Sequence, residues 1–175
     1  MKSVLFSAAL FAASASAIYA QSPSANTSAT IAGKNLSIRY SAPSVRGRKI
    51  FGPGGLLSQD PTYPAWRAGA NSATAFHTDA DLDIGGLHVP RGDYTLYAWI
   101  ADPDNWQLIL SKQTGQWGLT YEPKMDLGRV KMTMSKPAGG PIETYKMTLS
   151  GTGANTGKLQ LEWENHIASV PITVK

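Results

Sequence analysis

The chain has 175 residues, of which 42% are hydrophobic and none is cysteine, which predicts one domain and excludes disulfides, thiolate metal sites and cysteine nucleophiles. Its formal net charge of +4 is too small for a general nucleic-acid binder. The charge is uneven, because residues 21–67 contain six basic residues and one acid, whereas residues 68–175 contain nine and eleven.

Residues 1–20 have the pattern of a secretory signal peptide. Lys2 is the only charge, an apolar run follows it, and small residues lead up to Ala20. The apolar run is shorter than the roughly 18–20 residues that a membrane-spanning helix needs, and no later segment approaches that length. We expect cleavage after Ala20, or after Ala17, and a periplasmic or secreted protein without a membrane span.

The next part of the chain combines a lead-in, a strand and a long loop. Residues 21–29 are small and polar, which predicts a flexible lead-in. Leu36, Ile38 and Tyr40 alternate with polar residues, which is typical of a half-buried strand. Residues 44–65 are interrupted by glycine and proline, sustain neither a helical nor a strand period, and predict a long loop.

From residue 73 onward, short apolar and polar alternations follow one another between turn signals. Gly85-Gly86 separates two of them and predicts a hairpin, and the glycine-rich stretch 151–157 predicts another. No segment offers ten or more residues at helical spacing. We therefore predict an all-β, jelly-roll-like antiparallel β-sandwich of about eight or nine short strands with one long Gly/Pro loop, in a single domain over residues 21–175. A barrel is the alternative.

The common catalytic and metal-binding motifs are incomplete. Asp79, Asp81 and Asp83 have the spacing of a calcium loop, but Ile84 stands where glycine is needed and Pro90 where a bidentate acid is needed. The serine hydrolase motifs are absent. The three histidines have no metal-ligand spacing, and we predict that all of them face outward: His77, His88 and His166. We expect no cofactor and no metal.

Polar and aromatic residues around the long loop form the candidate binding site. Arginine offers a planar fork for carboxylate, phosphate or sulfate, tryptophan offers a flat face, and asparagine offers a donor and an acceptor. The candidate ligand-binding residues are Arg39, Arg48, Trp66, Arg67, Asn71 and Trp117. The alternative is structural: Trp66 and Arg67 would close one end of the core, and Trp117 would plug the core from a glycine turn.

Five segments of the chain also resemble an exported bacterial family, the domain of unknown function 2911. They are Arg46-Gly47-Arg48-Lys49-Ile50-Phe51-Gly52, Trp66-Arg67-Ala68-Gly69-Ala70-Asn71, Gly92-Asp93-Tyr94-Thr95-Leu96, Gly115-Gln116-Trp117-Gly118 and Leu161-Glu162-Trp163-Glu164-Asn165. The resemblance covers residues 36–175 and implies a β-rich periplasmic or secreted domain. It carries no established activity, so it transfers no catalytic residues. Residues 60–65 depart from the pattern, where a shorter link with a glycine and an acid is expected.

These observations favour a non-catalytic binding module of the cell envelope for a small anionic or carbohydrate ligand. The alternative is a hydrolase that uses the carboxylates of Asp79, Asp81 and Glu122, or the histidines with a metal. A structural or partner-binding domain is a third hypothesis. None of the three implies a nucleic-acid partner or a particular oligomeric state.

Overall fold

The computed structural model describes residues 21–175. The signal-peptide prediction concerns residues 1–20 and lies outside the described residues. The strands are β1 (Ser24–Ile31), β2 (Lys34–Ser41), β3 (Ala65–Trp66), β4 (Thr74–Thr78), β5 (Leu82–Ile84), β6 (Leu87–Val89), β7 (Gly92–Trp99), β8 (Gln107–Ser111), β9 (Asp126–Lys131), β10 (Thr133–Ser135), β11 (Ile142–Gly151), β12 (Thr156–Glu164) and β13 (His166–Val174). Two short 3-10 helices span Leu56–Gln59 and Pro123–Met125. No helix within the described range is long and apolar enough to cross a membrane.

The strands form two antiparallel sheets that pack face to face and do not close into a barrel. The first sheet has the order β1-β2-β4-β7-β8-β9, with β3 paired to β7. The second has the order β11-β12-β13-β5-β6, with β10 paired to β13. The all-β sandwich is therefore confirmed. The predicted count of eight or nine strands is too low, because β1 lies in the predicted lead-in and the two-residue β3 shows no period.

The core lies between the sheets because alternate residues of each strand point to the same face. Leu36 and Ile38 of β2 and Leu161 of β12 are each at most 1% exposed. One end of the core is aromatic: Trp66 stacks on Trp163 with ring centroids 5.6 Å apart. Phe51, Trp106 and Tyr145 pack against Trp66.

The predicted flexible lead-in over residues 21–29 is wrong for residues 24–29. Residues Ser24–Ile31 form β1 and pair with β2 along its whole length. Thr27 Oγ1 accepts a hydrogen bond of 3.0 Å from the Leu149 N–H, which ties this edge strand to the opposite sheet. The inward positions are filled by Ala25 and Ala29, whose small side chains give too weak an apolar period to reveal the strand.

The long Gly/Pro loop after β2 is anchored to the core. Ile50 and Leu57 are 0% and 5% exposed, and Phe51 enters the aromatic end of the core. Residues Leu56–Gln59 make a 3-10 turn. The other end of this chain segment, β3, pairs with β7 through Ala65 and Trp66.

The outer face of the first sheet carries polar side chains. Arg39 lies on this face opposite Ala75 of β4. Two residues further along β4, His77 pairs with Asp93 of β7. Diagonal neighbours on one face of a sheet are roughly 7–8 Å apart, so the register alone brings Arg39 and His77 into one region of the surface.

Candidate functional site

Two hollows lie side by side on the outer face of the first sheet. The first has a volume of about 660 Å³ and lies over β2, β4 and β7, with residues 114–116 as one wall. The second has a volume of about 470 Å³ and lies between residues 21–24, the end of β2 and residues 71–75. Both are lined by Arg39, Ser72, Ala73 and Ala75. They therefore adjoin each other at these residues, and we call the two hollows together the outer groove.

Arg39 occupies the centre of the outer groove. Its side chain is exposed, and its cross-strand neighbours, Asn26 and Ala75, are uncharged. Among residues 21–175, no carboxylate oxygen lies within 4.0 Å of its guanidinium. A guanidinium has five N–H donors in a fixed fork. Arg39 can therefore direct charge-assisted hydrogen bonds to a ligand in either hollow.

His77 lies between two carboxylates at one end of the groove. Its Nδ1 is 2.8 Å from Asp93 Oδ1, and its Nε2 is 3.0 Å from Asp79 Oδ1. A carboxylate only accepts hydrogen bonds, so both contacts are satisfied only when the imidazole carries both protons. The hydrogen bonds to Asp79 and to Asp93 raise the pKa of His77, and the bond from His77 lowers the pKa of Asp79.

The segment after β8 forms the wall of the first hollow. Gln116 Nε2 donates to Thr95 Oγ1 at 3.2 Å and to the Tyr97 hydroxyl at 3.0 Å. The N–H of Gly118 donates to the carbonyl of Asn71 at 3.1 Å. A side chain at Gly118 would collide with this carbonyl and with Arg67, so glycine is needed for the approach.

Three of the six predicted site residues lie in or beside the groove. Arg39 lines both hollows, and Asn71 lines the second. Asn71 Nδ2 donates to Ser22 O at 3.2 Å and to Ser41 Oγ at 3.4 Å, so its amide supports the wall. Trp117 is 53% exposed and forms an isolated β-bridge with Ser72. It is therefore a surface residue and does not plug the core.

The other three predicted residues do not line the groove. Trp66 is 2% exposed, and its Nε1 donates to Gly69 O at 2.9 Å. Arg67 pairs with Asp60 at 3.1 Å. Arg48 donates to the carbonyls of residues 44 and 45. Their ligand-binding role stays a prediction, and each of them has a structural partner.

The family model described as "Protein of unknown function (DUF2911)" matches residues 22–172. The chain belongs to this family. The match covers nearly the whole chain and begins before β1, so the lead-in strand is part of the DUF2911 domain. No curated protein and no solved structure matches the chain.

In this DUF2911 chain, each carboxylate that was considered for a hydrolase accepts a hydrogen bond from a backbone N–H. Asp79 accepts from the Asn35 N–H and contacts His77, Asp81 accepts from the Arg91 N–H, and Glu122 accepts from the Lys124 N–H. Within the described part of the chain, no three His, Asp or Glu side chains are arranged to hold a metal ion.

The prediction that every histidine faces outward is wrong for His166. Its ring stacks on Trp106 at 5.2 Å and contacts Phe51 at 4.6 Å. Burial lowers its pKa. It lines a separate cavity of about 330 Å³ together with Asp104 and Lys136. The turn position of His166 suggested exposure. The preceding strand, β12, ends at the aromatic end of the core, so the ring of His166 packs there against Trp106 and Phe51.

The pKa values of His77 and His166 are therefore shifted in opposite directions. We expect NMR to place the midpoint of His77 above the ordinary value of 6.5 and that of His166 below it. The His77 contribution to stability is present below pH 6.5 and lost as the pH rises through its folded pKa. The His166 contribution is present above pH 6.5 and lost as the pH falls through its folded pKa. Asp93→Asn should lower the midpoint of His77 only; coincident midpoints would contradict the geometry.

Proposed function

We propose that this protein is an exported, non-catalytic binding module that holds a small anionic or carbohydrate ligand in the outer groove. Export is supported by the signal-peptide pattern of residues 1–20. The observation that carries the binding proposal is the exposed guanidinium of Arg39, without a carboxylate partner among the described residues, at the point where the two hollows meet.

The chemistry around Arg39 supports an anionic group. A guanidinium binds carboxylate, phosphate or sulfate through two parallel hydrogen bonds, which are stronger than bonds between neutral groups. The Arg39 guanidinium has no carboxylate within 4.0 Å among residues 21–175, so its charge is not neutralised by a direct partner there. A fixed positive charge is therefore available at the centre of the groove.

The rest of the lining supports a sugar. The groove offers hydroxyl groups from Ser37, Ser72 and Thr114. Trp117 lies on the same segment as Thr114 and is 53% exposed. An exposed tryptophan beside several hydroxyl groups suits a sugar ring, which has one apolar face and a rim of hydroxyls.

The contacts of the groove carboxylates with His77 favour a binding role over a hydrolase. Asp79 and Asp93 both contact His77, and the contact with His77 lowers the pKa of Asp79. A general acid needs a raised pKa so that it holds a proton near neutral pH. The contact with His77 therefore does not make Asp79 such an acid.

Isothermal titration calorimetry with galacturonate tests the proposal. Arg39→Ala should weaken binding at least tenfold, because the charge-assisted pair is removed, and should change the free energy of unfolding by less than about 0.5 kcal/mol, because the side chain is exposed. The matched control is Arg48→Ala, an exposed arginine outside the groove, which should leave the affinity unchanged. Equal affinities of wild type and Arg39→Ala would overturn the proposal.

A further inference from the structure

The outer groove is longer than one small ligand requires. Each of its hollows, at about 660 Å³ and 470 Å³, falls within the range of roughly 300–1,000 Å³ that is typical of a complete small-molecule pocket. Because the two share Arg39 and the residues beside it, a ligand that fills both must be extended and must pass the guanidinium at its middle.

The hollows share a lining of mostly short side chains. Besides Arg39, the residues that line both hollows are Ser72, Ala73 and Ala75, whose side chains are small. A chain of linked rings can therefore run from one hollow into the other in contact with the sheet.

The backbone of the groove is not available for peptide recognition by strand addition. The strands beneath the first hollow, β2, β4 and β7, are interior strands of the first sheet and are paired on both sides, and of the strands at the second hollow only β1 is an edge strand. A peptide that adds a strand needs an open sheet edge. Recognition here must use side-chain hydroxyls, amides and charges, which match the hydroxyl-rich surface of a glycan.

The two hollows differ in charge. At the first, His77 as an imidazolium and its two carboxylate partners, Asp79 and Asp93, leave one net negative charge. Asp93 lines that hollow with a side chain that is 72% exposed, so it can accept hydrogen bonds from sugar hydroxyls but repels a second acid. The second hollow is lined by the hydroxyls of Ser22, Ser24 and Ser41. An acidic unit therefore fits at Arg39, and a neutral unit fits in the first hollow.

We propose that the outer groove binds an extended acidic oligosaccharide in which neutral units separate the acidic ones. Arg39 pairs with the carboxylate of a central unit, a neutral neighbour contacts Asp93, and the unit on the other side lies among the serines of the second hollow. This inference rests on the proposed function, because it assigns a ligand class to the same site.

The test is a length and charge series measured by calorimetry. The probes are hyaluronan oligosaccharides of two, four and six units, in which glucuronate alternates with neutral N-acetylglucosamine, together with hexagalacturonate, neutral chitohexaose and hexaglutamate. We expect the affinity to rise at least tenfold from the disaccharide to the hexasaccharide. We expect hexagalacturonate to bind at least threefold more weakly than the hyaluronan hexasaccharide, and chitohexaose and hexaglutamate not to bind.

Three variants locate the effect. Ser24→Trp fills only the second hollow and should remove the gain with length while leaving disaccharide affinity unchanged. Ser28→Trp, on the same strand and also exposed but outside both hollows, is the matched control and should change neither. Asp93→Asn should bring the affinity of hexagalacturonate closer to that of the alternating hexasaccharide, because it removes the repelling charge.

The outcomes separate the two proposals. Arg39-dependent binding of galacturonate or of the disaccharide without any gain with length overturns the extended ligand and leaves the proposed function standing. Tighter binding of hexaglutamate than of the hyaluronan hexasaccharide overturns the glycan assignment. The absence of Arg39-dependent binding to every probe overturns both.

Discussion

Replacement of Trp66 by alanine is expected to lower the free energy of unfolding by about 3–5 kcal/mol. Trp66 is 2% exposed and stacks on Trp163 at 5.6 Å, and it meets Tyr145 at 4.9 Å. Its truncation removes an indole from between the sheets and opens a cavity that the surrounding rings cannot fill without leaving their rotamers. Urea denaturation followed by circular dichroism measures the loss.

Trp117 provides the matched control for Trp66. It is 53% exposed, so Trp117→Ala should change the free energy of unfolding by less than about 0.5 kcal/mol. The two variants should also differ in binding, because Trp117 lies beside the outer groove. We expect Trp117→Ala to weaken the binding of galacturonate severalfold. A Trp66→Ala loss no larger than that of Trp117→Ala would contradict the position of Trp66 in the core.

Arg67→Ala is expected to lower the free energy of unfolding by about 1–3 kcal/mol at neutral pH without changing ligand affinity. The guanidinium of Arg67 is 3.1 Å from Asp60, and the two side chains are 14% and 20% exposed. Burial raises the pKa of Asp60, and the charge of Arg67 opposes this rise. Removal of Arg67 leaves a half-buried carboxylate without its counter-charge.

The pH dependence of this variant follows from the pKa of Asp60. Its pKa is raised above 3.8 in the folded wild type and should rise further in Arg67→Ala. The stability deficit of the variant should therefore be largest at neutral pH and shrink as the pH falls through this raised pKa, because a protonated Asp60 needs no counter-charge. The Asp60→Asn background is the control, and Arg67→Ala should cost less there. A pH-independent cost that is equal in both backgrounds would show that Arg67 acts by packing alone.

The strands with a clear period or a turn signal beside them were predictable, and β1 and β3 were not. Leu36, Ile38 and Tyr40 alternate with polar residues and lie on the core side of β2. The strand β1 was not predicted because its inward residues include Ala25 and Ala29, whose contribution to an apolar period is small. Gly85-Gly86 does make the predicted hairpin between β5 and β6, because a local turn signal needs no long-range partner.

The candidate site was only partly predictable. Arg39, Asn71 and Trp117 were selected by residue type, and the structure puts them in or beside one groove. His77 was considered only as a metal ligand and Asp93 was not selected, because their contact depends on the register between β4 and β7. His77 and Asp93 are 16 positions apart, and the sequence does not show that they lie opposite each other on neighbouring strands.

The sequence by itself determined the class of the fold, the family and the polar character of alternate strand positions. These properties depend on composition, on a period of two residues and on ordered motifs, which are local or additive along the chain. Only the tertiary structure decided which tryptophans are buried and which cationic residue is open to a ligand. Trp66 and Trp117 are chemically identical, and so are Arg39 and Arg67. What separates them is the strand pairing and the packing of distant segments against them, such as Trp163 on Trp66 and Asp60 on Arg67.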